Sequence, residues 1–105
     1  MTEEYLTLAE IKELLLKEQS VRILTMEQSY ALEHATKFAK LNVKDAKKLV
    51  KELMKIEQVN EAIACKIVDL MPKHKAEIET IFLKERTSIE EDSISQILDK
   101  VAQYQ

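Results

Sequence analysis

The stretch that decides the fold is NEAIACKIVDLMPKHKAEIETIFLKER, residues 60–86, which contains the only proline of the chain. Pro72 has no N–H to donate and its ring clashes with the carbonyl four residues earlier, so a helix ends at this point. Apolar residues at helical spacing occur on both sides of it, Ile63, Ile67 and Leu70 before and Ile78, Ile81 and Phe82 after. The stretch is therefore a helix corner. Its two helices need other helices to pack against, because short helices gain most of their stability from tertiary packing.

The composition of the 105-residue chain suits one soluble domain, with 46% apolar and 33% charged residues. Glycine is absent, although its usual share is roughly 7%. Glycine-rich phosphate loops and dinucleotide-binding fingerprints are therefore excluded, so the main sequence signature of most nucleotide-binding enzyme classes is missing.

Helix start signals divide the chain into about six helices. Thr7 and Thr25 each begin a capping-box pattern, with Glu or Gln three residues later. Asn42 and Asn60 are candidate N-caps, and the last helix starts either after Ser88 or two residues later. The predicted helices cover about residues 8–18, 25–40, 43–56 and 61–71, the segment from after the proline to about 86, and a last segment through residue 101. No heptad pattern persists, so the prediction is a compact all-α fold, with residues 21–24 as a short strand or a connector.

Charge is unevenly distributed along the chain, although the net charge is only −3. Residues 1–35 and 76–105 each carry three basic and seven acidic residues, whereas residues 36–75 carry ten basic and five acidic ones. The lysines of the middle segment fall largely opposite its apolar residues, which favours an ordinary solvated helix face. The alternative is a nucleic-acid surface.

No residue pattern indicates an active site. His34 and His74 are isolated, which favours structural or solvent-facing roles, and no His or Cys pair has the spacing of a zinc site. Cys65 is the single cysteine and is interpreted as a packed thiol, so no intrachain disulfide is expected. No apolar run approaches the ~20 residues that span a bilayer, so we expect an intracellular, cytoplasmic protein. Because no ligand-binding pattern is present, we expect no cofactor or metal.

The first helix and its flanks carry more apolar surface than one helix needs. This favours an N-terminal arm that lies on a partner protein. Two non-catalytic hypotheses remain open from these patterns: a helical subunit that docks through this arm, and a free-standing helical nucleic-acid-binding domain.

The whole chain resembles a family of small archaeal DNA-directed RNA polymerase subunits, the counterparts of the fourth-largest subunit of eukaryotic RNA polymerase II. The resemblance is carried by LMPKHKAEIETIFLKER at the corner, together with four segments in the family's order and spacing: EYLTLAEIKELL (4–15), SYALEHATKFAKL (29–41), AKKLVKEL (46–53) and the terminal ILDKVAQY (97–104).

The resemblance implies a non-enzymatic protein that forms a heterodimer with another RNA polymerase subunit, the counterpart of the seventh eukaryotic subunit. We call that protein the stalk partner, because the pair would form a stalk near the RNA exit. The stalk would assist transcription initiation and contact nascent RNA, mainly through the stalk partner.

The resemblance also implies a division of the chain. Residues 1–42 would form an arm and helix on the stalk partner, and residues 43–105 would form a domain like the one in RecQ-type helicases and RNase D, an HRDC-like fold. The residues expected to bind the stalk partner are Tyr5, Leu6, Ile11, Leu15, Val21 and Ile23. The residues expected to contact RNA are Lys47, Lys51 and Lys73.

Overall fold

The computed structural model describes residues 5–105, and this part of the chain contains six α-helices and no β-strand. The all-α prediction is confirmed; residues 1–4 of the predicted arm lie outside the described residues. The helices are α1 (Leu8–Gln19), α2 (Met26–Phe38), α3 (Val43–Leu53), α4 (Glu61–Leu70), α5 (Lys75–Lys84) and α6 (Glu91–Ala102). None of the described helices is long and apolar enough to cross a membrane.

Both capping boxes form as the sequence predicts. The Thr7 hydroxyl accepts the Glu10 N–H, and the Glu10 carboxylate accepts the Thr7 N–H at 3.2 Å. At the start of α2 the Thr25 hydroxyl accepts the Gln28 N–H at 3.1 Å, while the Gln28 side chain accepts the Thr25 N–H at 3.0 Å. Each pair satisfies N–H groups that have no partner within the helix, which fixes where α1 and α2 begin.

The next two helices begin at the predicted asparagines. Asn42 Oδ1 accepts the Asp45 N–H at 2.8 Å, and Asn60 Oδ1 accepts the Ile63 N–H at 2.9 Å. The last helix begins later than a box at Ser88 would place it, with Glu90 as its N-cap residue. Of the two predicted starts, the later one is therefore correct.

The corner reverses the chain through one strained residue. Met71 follows α4 with φ 47° and ψ 61°, a left-handed conformation that costs a non-glycine residue about 1–2 kcal/mol. Its N–H still bonds to the Ile67 carbonyl at 2.7 Å, and its side chain is buried, which offsets the cost. Pro72 follows and is also buried, so the corner itself belongs to the packed interior.

The core lies among α3, α4, α5 and α6, and α1 contributes Ala9 to it. Ile63, Ile67, Ile78, Ile81 and Phe82, the apolar residues predicted on either side of the proline, are all buried.

Leu70 is the exception to this prediction. It is 57% exposed, although Met71 and Pro72 directly after it are buried.

Cys65 is packed, as predicted. Burial and nearby carboxylates, chiefly that of Asp69, raise the pKa of its thiol to about 12.

The first two helices pack on each other and reach the core through α1, which also contacts α3. In contrast, α2 contributes only Ala35 to the buried residues. Residues 21–24 form no strand and connect the two helices. Three helices end two or three residues earlier than predicted, at Phe38, Leu53 and Lys84. Apolar residues beyond these ends, Leu41, Ile56 and Ile89, still pack in or against the core.

Candidate partner and nucleic-acid interfaces

The most exposed large apolar side chains of the first two helices lie in and beside their connection. Val21 is 78% exposed and Ile23 is 93% exposed, and both are among the residues predicted to bind a partner. Met26 and Tyr30, in the first two turns of α2, are 72% and 65% exposed. We call these four residues the connection patch.

A shallow groove runs between α1 and α2 beside this patch. Its wall on the α1 side is entirely apolar and includes three of the predicted partner-binding residues, and α2 supplies Glu27, Gln28 and Ala31. The α1-side residues are Leu6, Ile11, Leu14 and Leu15. The structure therefore brings Leu6, Ile11 and Leu15 together.

Tyr5 lies in a different place from most of the predicted partner-binding residues. It is partly exposed and lines, with Leu6, a second cavity against Cys65 and Glu85. The predicted set therefore divides into the groove, the connection patch and this cavity beside α4.

Three large apolar residues of this surface are absent from the predicted partner-binding set: Leu14, Met26 and Tyr30. A signal for Tyr30 exists in the sequence, because Tyr30, Ala31 and Leu32 are consecutive. Three consecutive residues span roughly 200° of a helix, which is more than one neighbouring helix can cover. The exposed position of Met26 has no such signal.

Asp69 joins the first helix to the fourth. Its Oδ1 accepts the Leu8 N–H at 2.8 Å, so the carboxylate lies at the N-terminus of α1, where backbone N–H groups favour negative charge. Burial nevertheless raises the pKa of Asp69 to about 6; the Leu8 hydrogen bond opposes that rise, Glu10 adds to it and His34 opposes it. Sequence reasoning missed this contact, since no local pattern relates residues 61 positions apart.

The lysines of α3 and of the residues after it form an exposed basic face: Lys44, Lys47, Lys48, Lys51 and Lys55. None of them forms an ion pair with another residue in the described range 5–105. The ion pairs found there are Lys17–Glu13, Arg22–Glu18, Lys66–Glu85 and Lys75–Glu91. Lys47 and Lys51 thus lie one turn apart on this face, whereas Lys73 lies in the connection between α4 and α5.

The potentially reactive side chains are dispersed. The His34 ring packs against the Phe38 ring with centroids 4.8 Å apart, and His74 precedes α5. Within residues 5–105, no group of three or more His, Cys, Asp or Glu side chains could hold a metal ion.

A small helical fold that leaves an apolar groove and a basic face uncovered is typical of proteins that act by binding larger partners. Comparison with known proteins identifies the family. The family model for RNA polymerase Rpb4 matches residues 5–105. The DNA-directed RNA polymerase subunit Rpo4 of Methanocaldococcus jannaschii is 34% identical over 98 residues, covering 93% of this chain and 84% of that protein. The chain therefore belongs to the RNA polymerase Rpb4 family, a family of accessory polymerase subunits, and the resemblance found in the sequence is confirmed.

Proposed function

We propose that this chain pairs with the stalk partner through the groove and the connection patch, and that the pair forms a cytoplasmic stalk near the RNA exit that supports transcription initiation. The observation that carries the proposal is the exposure of Val21 and Ile23 beside an apolar groove. Family membership supports the assignment to the polymerase.

The energetics favour a covered connection patch. Fully burying a Val or Ile side chain contributes about 1.5–3 kcal/mol, so Val21 and Ile23 together offer about 3–6 kcal/mol before the entropic cost of association. Neither side chain contributes much to the packing of the isolated chain, because Val21 is 78% exposed and Ile23 is 93% exposed.

The test is co-expression with the stalk partner, the counterpart of the seventh eukaryotic subunit. We expect a stable 1:1 complex by size-exclusion chromatography with light scattering, and a self-associating or marginally stable chain when it is expressed alone. The Val21→Ser/Ile23→Ser variant should melt like the wild type and bind the stalk partner at least tenfold more weakly.

Leu83→Ser is the matched control, since Leu83 is as exposed as Val21 but lies on α5. A monomeric chain that behaves well alone and shows no interaction with the stalk partner would overturn the proposal. Recovery of polymerase subunits in a pull-down from cell extract distinguishes a stalk protein from a free nucleic-acid binder.

We also propose that residues 43–105 form the HRDC-like unit and residues 1–42 the partner-binding arm. The two parts are in contact through Ala9 in the core and the Leu8–Asp69 hydrogen bond. The arm is therefore a helix pair held against the unit at one end, with its connection patch uncovered.

The proposed contact with nascent RNA involves Lys47, Lys51 and Lys73. All three are exposed and have no ion-pair partner in the described part of the chain, so their charges are available to phosphates. Binding of single-stranded RNA to the heterodimer should weaken steeply with salt and with Lys→Ala substitution at these positions. Salt-independent binding would favour the solvated-face interpretation.

A further inference from the structure

We propose that the cavity beside the α4–α5 corner holds one nucleotide of single-stranded RNA, with its phosphate between Lys40 and Lys73 and its base against the Tyr104 ring. The inference rests on the RNA contact proposed above and gives it a location. We call this site the corner cavity.

Three separate parts of the chain line the corner cavity, which has a volume of about 530 Å³. Lys40 comes from the segment after α2, Lys73 and His74 come from the corner, and Tyr104 comes from the segment after α6. Protein sites for small ligands are typically about 300–1,000 Å³, so the volume suits a single nucleotide rather than a folded partner.

The charges of the cavity favour an anion. Lys40 and Lys73 form no ion pair among residues 5–105. Glu77 also lines the cavity, but its Oε1 accepts the backbone N–H groups of Lys73 and His74, each at 3.1 Å. Among the side chains that line the cavity, two unpaired ammonium groups therefore face one carboxylate that is already hydrogen-bonded, which leaves positive charge for a phosphate.

The aromatic ring is held in place. Tyr104 is half-buried, packs against the core, and donates its hydroxyl proton to Glu52 Oε2 at 3.2 Å. Leu41, the exposed Leu70 and Met71 add apolar surface to the cavity. A positive groove with an aromatic ring is the combination that binds single-stranded nucleic acid, because the ring stacks with any base while lysines hold the backbone. A free phosphate ion would use the lysines but not the ring.

The location is tested by photocrosslinking in the heterodimer of the full chain with the stalk partner. The probe is an oligouridylate that carries 4-thiouridine. We expect a crosslink on the tryptic peptide that follows Lys100, residues 101–105, which contains Tyr104. Lys40→Ala/Lys73→Ala should lower its yield at least fivefold, whereas the control Lys12→Ala/Lys84→Ala, with the same charge change outside the cavity, should leave it unchanged.

The proposed stacking of a base on the Tyr104 ring is tested by fluorescence anisotropy. Two probes of equal length are used, an oligouridylate and its abasic counterpart. Tyr104→Leu should weaken binding of the oligouridylate about tenfold and leave binding of the abasic probe unchanged, since stacking depends on the base. Tyr104→Phe keeps the ring and should bind like the wild type. Thermal melting checks that each variant is folded, because Tyr104 packs against the core.

The inference is overturned if the lysine variant crosslinks like its control, or if the wild type binds both probes equally. If Lys47→Ala/Lys51→Ala weakens binding while the corner variants do not, the RNA contact holds on α3 and the corner cavity is excluded. If no variant matters and binding is independent of salt, the RNA contact itself fails.

Discussion

Asp69 joins α4 to α1, although burial of its ionised carboxylate is unfavourable. Its carboxylate holds the first turn of α1 through the Leu8 N–H, but it does so half-buried, beside Glu10 and within the influence of His34. The hydrogen bond favours the ionised form and burial opposes it more strongly, so the pKa rises from 3.8 to about 6. Removal of the charge without loss of the acceptor should therefore stabilise the fold.

We predict that Asp69→Asn is more stable than the wild type at pH 7.5. Because the folded-state pKa lies above the unfolded value, the carboxyl group contributes stability that is complete below pH 3.8 and is lost as pH rises through about 6. The loss is on the order of 2 kcal/mol once screening by solvent is allowed for. The Asn oxygen can accept the same N–H, so the variant should lack this loss in urea unfolding measured from pH 4 to 8.

Asp69→Ala is the control for that prediction, because it removes both charge and acceptor and should be less stable than Asp69→Asn at every pH. Parallel pH profiles of the wild type and Asp69→Asn would contradict the proposed burial cost, since Asp69 is the one ionisable group that differs between the two proteins.

At the scale of elements, helix starts were predictable and helix ends were less so. An N-cap is a local arrangement, in which a side chain bonds to an N–H three residues later, and Thr7, Thr25, Asn42 and Asn60 all act as the sequence indicates. The C-terminal ends depend on what covers the last turn. After Leu53, for example, the chain leaves the helix while Ile56 and Val59 still pack into the core.

The corner gives a prediction at this scale. Ile81 is 4% exposed and packs in the core, so Ile81→Ala should lower the free energy of unfolding by about 2–5 kcal/mol, through lost burial and the cavity left behind. Leu83 lies two residues further along α5 and its side chain is exposed. Leu83→Ala should therefore change the free energy of unfolding by less than about 0.5 kcal/mol. Equal effects in chemical denaturation would show that α5 does not pack through the Ile81 face.

At the scale of the whole molecule, burial is concentrated in the unit formed by α3 to α6. Five of the ten residues of α4 are buried, against one residue each in α1 and α2. The described part measures 47 × 30 × 22 Å, an elongated shape. The first two helices therefore have fewer buried contacts to resist opening than the unit around the corner.

Hydrogen exchange should reproduce this gradient. We predict the slowest amide exchange in α4, near the rate set by global unfolding, and faster exchange in α2. Binding of the stalk partner should slow exchange in α1 and α2 more than in α5, since the proposed interface lies there. Uniform protection along the chain, or slowing confined to α5, would contradict this arrangement.

The sequence by itself determined the helical class, the four capped helix starts, the corner at Pro72 and the family, because each depends on residues close together in the chain or on their order. Tertiary structure alone decided which apolar residues stay exposed, that Asp69 meets Leu8, and that Lys40, Lys73 and Tyr104 line one cavity. Those facts depend on how helices that are distant in the sequence pack together. Helical periodicity indicates which face of a helix is apolar, but not which element covers that face.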